Sequence, residues 1–221
     1  MTSRYIVVGS GSHEAAALVL DQLATAFGAS SSVARVPAFA GTDADSAALG
    51  AASALPDAVG AVRERTADVV LIESSSACAN RSFDAPGWDF SLAASVGAGV
   101  VLAPDTEGVG AELLAQEAAT AVSRAADHQA AVVALALPAA LVGRVDSPLP
   151  LLPLPVDGGG LDALARAAAP SAVTPLAFQA DLVERARADR KRIVLPEPDD
   201  DRVLRAAAQV LAAGIADITF V

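Results

Sequence analysis

The chain has 221 residues with a formal net charge of −11 at pH 7, and 53% of its residues are hydrophobic although only 4% are aromatic. The negative charge argues against nucleic acid or an anionic membrane as a partner, since both require clustered Lys and Arg to neutralise phosphates. A hydrophobic content dominated by Ala, Val and Leu favours helices packed closely on a sheet. The single cysteine, Cys78, excludes an intrachain disulfide and a thiolate metal cluster built from this chain alone.

A strand, a glycine-containing loop and a helix are predicted at the start of the chain. The apolar run 5–8 leads into the loop 9–12, and apolar residues recur on helical spacing over 14–27. Backbone amides and the helix dipole can hold phosphate in such a loop, but a nucleotide-binding P-loop also needs a Lys after its glycines. Here the second glycine is followed by Ser, His and Glu. We therefore interpret the loop as a structural turn in preference to a nucleotide site.

Alternating strands and helices are predicted through the middle of the chain. The continuous apolar run 68–73 is typical of a strand buried on both faces of a parallel sheet. Further strands are predicted at 32–36, 99–103 and 130–137, with helices at 57–66, 90–96 and 107–126. This alternation predicts an α/β fold with a doubly wound, mostly parallel sheet and right-handed crossovers.

A proline- and glycine-rich region predicts a boundary between two domains. Prolines alternate over 148–155, which leaves an edge strand or an extended linker as alternatives. Three glycines and a short predicted helix, 161–169, follow, and Thr174-Pro175 is a typical helix start. The prediction is a first domain over 1–155, a connector over 156–173 and a second, incomplete α/β unit over 174–221.

Few side chains suggest chemistry by themselves. Glu73 ends the strongest predicted strand, where a P-loop protein places a magnesium-linked acid, but without the Lys a solvated acid is the favoured interpretation. His13 and His128 lack companions at metal-ligand spacing and are expected at the surface. Cys78 lacks a nearby His that would activate it. These residues by themselves therefore indicate neither a metal site nor an activated nucleophile.

Arg202 lies on the first turn of a predicted helix, directly after the three acids 199–201. The acids are suited to cap the helix and to complement its dipole. A cation at this end works against the dipole, so it requires a local carboxylate or an anionic ligand to offset that cost. The sequence alone favours a salt bridge over a ligand.

The segment 174–221 reads TPLAFQADLVERARADRKRIVLPEPDDDRVLRAAAQVLAAGIADITFV. It closely resembles the opening of the catalytic domain of the phosphate acetyltransferase family, also called phosphotransacetylases. The matching pieces are the Thr-Pro start, the Glu-Arg-Ala-Arg helix, the Arg-Ile-Val-Leu-Pro-Glu strand, the acidic turn with Arg202, and Gly-Ile-Ala-Asp before the last strand. Phosphate butyryltransferases share parts of this pattern.

The resemblance extends to the front of the chain. Long bacterial members of the family carry an N-terminal P-loop domain similar to dethiobiotin synthetase, and residues 4–155 have that layout. Family members often keep a Gly-Ser-Gly-Lys-Ser loop, whereas this chain reads Gly-Ser-Gly-Ser-His over 9–13. A degenerate P-loop domain is therefore implied. A regulatory domain that commonly follows it is replaced here by the connector 156–173.

The resemblance also implies a function. The family exchanges an acetyl group between coenzyme A and phosphate, which gives acetyl phosphate, without a metal or redox cofactor, and a cytoplasmic location is expected. Its catalytic residues lie beyond position 221, so none is transferred to this chain. Arg202 matches a position associated with binding coenzyme A and is the single substrate-binding residue implied. Acetyl-CoA, coenzyme A and phosphate are the implied partners. Family members assemble through catalytic-domain surfaces that this chain mostly lacks, so a homo-oligomer is left open.

The sequence further predicts a chain that is cut off inside its catalytic domain. The final residues, 218–221, form an apolar strand, whereas polar and exposed residues are usual at a terminus. One β-α-β unit cannot bury both faces of its strands, so poor packing is expected over 174–221 unless this segment packs on the first domain. On this view the 221 residues alone are inactive. The alternative is a regulatory or structural binding module with a degenerate P-loop and no catalysis.

Overall fold

The computed structural model describes residues 2–10, 13–78, 82–167, 172–197 and 199–221. The chain divides into two compact units, an N-terminal unit, Met1–Thr174, and a C-terminal unit, Pro175–Val221. Both units are built from parallel strands joined through helices. They differ in how much of that structure is buried.

A six-stranded parallel sheet forms the centre of the N-terminal unit. Its strands are β1 (Ser3–Ser10), β2 (Val33–Val36), β3 (Val69–Ile72), β4 (Gly99–Pro104), β5 (Ala131–Pro138) and β6 (Leu151–Leu154). They lie in the order β2-β3-β1-β4-β5-β6, and each neighbouring pair runs parallel. The predicted α/β fold with a doubly wound parallel sheet is confirmed.

Helices cover both faces of this sheet. They are α1 (His13–Gly28), α2 (Ala44–Ala48), α3 (Ala54–Arg63), α4 (Ala85–Val96), α5 (Ala111–Asp127) and α6 (Gly158–Arg166). α1 and α6 share one core cluster with Tyr5 and Val7 of β1, whereas α4 and α5 lie over Val8 and Leu102 on the opposite face. Within the described ranges, each helix is too short or too polar to span a bilayer.

The central strands are buried because both of their faces are covered. All four residues of β3 and all six of β4 are buried, and both segments are continuous apolar runs in the sequence. α4 is nearly as deeply placed, since most of its residues, including Phe90 and Leu92, have almost no solvent exposure. A helix that is apolar around its whole circumference is stable only in such a position.

Two of the helices that begin earlier than the sequence predicts are each capped by an Asp. Asp84 accepts a hydrogen bond from the backbone N–H of Gly87, so α4 starts at Ala85 although Pro and Gly, which occupy positions 86 and 87, are common in turns. Asp157 accepts from the backbone N–H of Gly160, so α6 starts inside the run of three glycines. Proline and glycine are tolerated in a first helical turn, where backbone N–H groups have no helical partner.

α6 and β6 extend the core of the N-terminal unit. Leu164 of α6 is buried in the cluster that α1 forms with the sheet, so part of the segment interpreted as a connector, 156–173, packs into this core. Of the two alternatives for 148–155, the structure has the edge strand. Pro153 is tolerated in β6 because β5 is its one neighbour in the sheet.

The C-terminal unit is a small β-α-β arrangement preceded by a helix. Its elements are α7 (Pro175–Ala188), β7 (Lys191–Leu195), α8 (Asp201–Ala212) and β8 (Ala216–Phe220), and β7 pairs with β8 in parallel. Among its described residues only Ala207 and Ala216 are buried, while Ile193 and Val194 are exposed. The poor packing expected for this segment is confirmed.

Candidate functional site

The turn between β7 and α8 holds Arg202, the residue to which the sequence assigned substrate binding. Asp200 is the N-cap of α8 and accepts a hydrogen bond from the backbone N–H of Arg202 at 2.8 Å. The same carboxylate accepts from Arg202 Nε at 3.1 Å and from Nη2 at 2.6 Å. The Asp200 carboxylate and the Arg202 guanidinium therefore form a bidentate ion pair, and the same carboxylate caps α8 through the backbone N–H of Arg202.

This ion pair explains how a cation is accommodated at the N-terminal end of α8, where the helix dipole is positive. The Arg202 side chain and then its backbone N–H donate to Asp200 and hold the pKa of that carboxyl below its usual value. In return, Asp200 raises the pKa of Arg202. The carboxylate offsets a cation at the positive end of the helix dipole. The salt bridge that the sequence favoured is present.

The guanidinium remains accessible to a ligand although it is paired. The side chain of Arg202 is 89% exposed, against 25% for Asp200. Ion pairs this exposed contribute little net stability, since water solvates either partner well. A dianionic phosphate can therefore compete with Asp200 or share the guanidinium with it.

Arg205 provides a comparison on the same helix. Its Nη2 lies 3.8 Å from Asp201 Oδ2, and its side chain is exposed like that of Arg202. The two arginines thus share a helix and a similar exposure, but they differ in position and in how closely a carboxylate pairs with them. Arg202 sits on the first turn beside the cap, and Arg205 lies almost one turn further along.

The loop after β1 is described in part. β1 ends at Ser10, α1 begins at His13, and Gly11 and Ser12 lie outside the described residues. His13 is exposed, as predicted. Glu14 lies in the first turn of α1, where its carboxylate complements the helix dipole. The interpretation of this loop as a structural turn remains a prediction.

Glu73 directly follows β3 at the carboxyl edge of the sheet, and an arginine lies close to it. Arg35 Nη2 is 3.7 Å from Glu73 Oε1, while Arg35 Nη1 donates to Asp21 at 2.6 Å. Both side chains of the Arg35–Glu73 pair are about two-fifths exposed. Across the described ranges, no cluster of three or more His, Cys, Asp or Glu side chains has a metal-binding arrangement.

Asp89 is a buried acid that the sequence analysis missed. It has no exposed surface, and it accepts hydrogen bonds from Ser74 Oγ at 2.7 Å and from the backbone N–H of Ser75 at 2.9 Å. Burial raises the pKa of Asp89 to about 7, against the opposing effect of these hydrogen bonds. The sequence signal for a buried acid at this position is that it lies between two aromatic residues, Trp88 and Phe90. Because the sequence predicts a helix that starts at residue 90, Asp89 falls outside it.

His128 is not the surface residue that the sequence predicted. Its ring is half-buried, with Nδ1 2.8 Å from Ser91 Oγ and the ring centroid 6.1 Å from that of Phe90. The contact joins the end of α5 to α4. Cys78 is a partly buried free thiol that follows a single 3-10 turn.

Comparison with known proteins points to a class of acyltransferase. Residues 177–221 match the family model described as phosphate acetyl/butaryl transferase, and this range lies within the C-terminal unit. Two relatives carry the more specific name phosphate acetyltransferase. That of Corynebacterium glutamicum is 57% identical over 42 residues, and that of Nitratidesulfovibrio vulgaris is 46% identical over 48 residues.

These matches are short relative to all the proteins involved. They cover 19% of this chain and 13% of the C. glutamicum protein, and 22% of this chain and 7% of the N. vulgaris protein. No solved structure matches the chain significantly. The comparisons support a relationship to the phosphate acetyltransferase family through a segment of the chain.

Proposed function

We propose that the C-terminal unit is the opening part of a phosphate acetyltransferase catalytic domain. The intact enzyme would convert acetyl-CoA and phosphate to acetyl phosphate and coenzyme A. The observation that carries this proposal is the family match over 177–221, which falls within one structural unit. The two named relatives favour acetyl over butyryl transfer.

The reaction needs anion recognition at two places. A phosphate oxygen attacks the thioester carbonyl, the carbon–sulfur bond breaks, and coenzyme A leaves as a thiolate that takes up a proton. In the reverse direction a carboxylate base removes that proton from the thiol as it attacks acetyl phosphate. Cationic and hydrogen-bonding groups must hold the phosphate and stabilise the oxyanion that develops on the carbonyl.

In this scheme Arg202 binds a phosphate group of coenzyme A. Its exposed guanidinium and the N-terminal end of α8 both favour a negative charge at the same turn. Asp200 orients the guanidinium in the absence of a ligand and gives up one or both hydrogen bonds when the phosphate binds. Arg202 is a binding residue in this proposal and takes no part in bond breaking.

Titration of the chain with coenzyme A tests this assignment, with Arg205 as a matched control. We expect weak, salt-dependent binding that falls about tenfold in Arg202→Gln, a typical loss for a charged hydrogen bond. Arg205→Gln removes the same charge from the same helix and should change the affinity by less than about twofold. Equal affinities of the wild type and Arg202→Gln would refute the role of Arg202.

The catalytic groups are proposed to lie outside these 221 residues, so that this chain alone does not turn over. The exposed faces of β7 and β8 support this, because an acyl-transfer site needs covered, water-excluding walls. Mixing the chain with acetyl-CoA and phosphate should release no thiol above the protein-free control. Turnover at a normal enzymatic rate would place the active site within this chain and contradict the proposal.

We propose further that the N-terminal unit is a P-loop-like domain without nucleotide chemistry. A carboxylate on the first turn of α1, at Glu14, and the missing Lys of the loop support this. Calorimetric titration with ATP and magnesium should give no heat of binding. Tight, magnesium-dependent binding of ATP would contradict this part of the proposal.

A further inference from the structure

A cavity of about 550 Å³ opens between α4, α5 and the sheet of the N-terminal unit. Its floor is formed by β1 and β4, and its walls by one side of each helix. Val8, Phe90 and Leu102 line its apolar part, and Gln116, Glu117 and Thr120 of α5 lie at its rim. The volume falls within the roughly 300–1,000 Å³ that is usual for small-molecule sites.

Small side chains on α5 leave this volume unfilled. Ala118 and Ala125 are the buried residues of its middle and last turns, and Ala121 lines the cavity itself. Across the gap stand the larger Phe90 and Leu102. The cavity opens to solvent along α5, where Gln116 and Thr120 are exposed. A solvent-accessible concave surface lined mainly by apolar side chains is the usual form of a small-molecule site.

The position of the cavity in the fold is also typical of a binding site. It lies near the carboxyl ends of β1 and β4, which are neighbours in the sheet. The helices that follow these strands, α1 and α5, pack on opposite faces. Ligands of open α/β sheets bind at such a switch point.

The charges at the rim favour an uncharged ligand. Arg124 Nη2 donates to Asp84 Oδ1 at 2.7 Å, so its cation is already balanced by an acid. Glu117 adds a carboxylate to the same rim. Residues 1–174 as a whole carry eighteen Asp and Glu against eight Lys and Arg. An anion would meet net repulsion here, while Gln116 and Thr120 offer neutral hydrogen-bonding groups.

We propose that this cavity binds an uncharged, largely apolar small molecule, whose polar group hydrogen-bonds to the α5 rim. The apolar body lies on Val8, Phe90 and Leu102. Binding is independent of the acyl transfer proposed for the C-terminal unit, because each lining residue belongs to the N-terminal unit. The cavity would thus give this unit a ligand of its own.

Two dyes with the same aromatic body and different charge test the proposal on the full chain. N-phenyl-1-naphthylamine is neutral, and 1-anilinonaphthalene-8-sulfonate is an anion. We expect saturable fluorescence enhancement with the neutral dye, and an affinity at least about tenfold lower for the sulfonate. Glu117→Gln should raise the affinity for the sulfonate severalfold and so narrow the difference in affinity between the two dyes.

Phenylalanine substitutions on two faces of α5 locate the site. Ala121→Phe fills the cavity and should lower the affinity for the neutral dye at least about tenfold. Ala119→Phe adds the same ring on the exposed face of α5 and should leave the affinity unchanged. Circular dichroism melting checks that each variant folds. If Ala121→Phe does not fold, Gln116→Trp at the exposed rim blocks the mouth instead and should have the same effect.

Two outcomes would overturn the proposal. Wild-type affinity in every variant that folds would mean that the dye binds other exposed apolar surfaces only. Tighter binding of the sulfonate than of the neutral dye, lost in Ala121→Phe, would mean that the cavity selects anions. Neither outcome depends on coenzyme A binding or thiol release, so this test stands apart from those of acyl transfer.

Discussion

The two units share a local architecture and differ in burial. β3 in the N-terminal unit and β7 in the C-terminal unit are both short parallel strands rich in Ile, Leu and Val. Ile72 of β3 has no exposed surface, whereas Ile193 of β7 is 42% exposed. Apolar sequence makes a strand suitable for a core, but helices or further strands on both faces must supply the burial.

The two units also differ in charge. Residues 175–221 carry eight Asp and Glu against seven Lys and Arg, so this unit is nearly neutral, in contrast to the strongly acidic N-terminal unit. A polyanion such as coenzyme A meets less repulsion at a balanced surface. The acidic N-terminal unit is correspondingly better suited to the neutral ligand proposed for its cavity.

Hydrogen exchange should show the largest difference between the units. Amides of β3 and β4 are buried and should exchange only through global opening of the N-terminal unit, while those of β7 and β8 open locally. We expect protection on the order of a thousandfold higher for β3 and β4, measured by mass spectrometry on the intact chain. Comparable protection of β7 would contradict the exposure of its side chains.

The stability of the N-terminal unit should fall with rising pH because of Asp89. The pKa of this carboxyl is raised to about 7 in the folded protein, from an ordinary value of 3.8. Its contribution to stability is therefore complete below the lower value and is lost as the pH rises through the higher one. Relative to Asp89→Asn, the wild type should lose free energy of unfolding between these values, on the order of 4 kcal/mol.

Chemical denaturation of both proteins at several pH values measures this difference. Trp88 is the single tryptophan of the chain and lies beside Asp89, so its fluorescence reports the unfolding of this unit. Other carboxyl groups titrate in both proteins and cancel in the comparison. A difference that is independent of pH would mean that folding does not raise the pKa of Asp89.

The same substitution in two strands tests whether burial separates the units. Ile72→Ala should destabilise the N-terminal unit by about 3 kcal/mol, since it leaves a cavity in a packed core. Ile193→Ala removes the same atoms from an exposed position and should cost less than about 0.5 kcal/mol. Trp88 fluorescence should record the first change and remain unaffected by the second. Equal effects would mean that Ile193 is buried in solution.

The sequence predicts the central strands well and the helix starts poorly. The runs that become β3 and β4 are continuously apolar, and few structures other than a covered parallel strand accommodate them. The start of α4 was misjudged because Pro86 and Gly87 are also common in turns. The capping hydrogen bond from the Gly87 N–H to Asp84 decides between the alternatives, and it exists only once the backbone has turned.

Polar contacts between residues close in the sequence could be predicted, and those between distant residues could not. The pair of Arg202 with Asp200 is local, so the sequence could favour it. The contact between Asp89 and Ser74 spans 15 residues, and that between His128 and Ser91 spans 37. Both contacts depend on where the crossover connections place each helix against the sheet, and no local sequence pattern specifies that placement.

The cap of α6 provides the smallest test of how the N-terminal unit is held together. Asp157→Ala removes the carboxylate that accepts from the Gly160 N–H at 2.8 Å, and should cost about 1 kcal/mol in the Trp88 unfolding transition. Asp162→Ala removes the same charge from an exposed position of the same helix and should change the stability by less than about 0.5 kcal/mol. Leu164 of α6 packs in the core cluster. Loss of the cap should therefore lower the stability of the whole N-terminal unit. If both variants match the wild type, α6 unfolds separately and contributes nothing to that core.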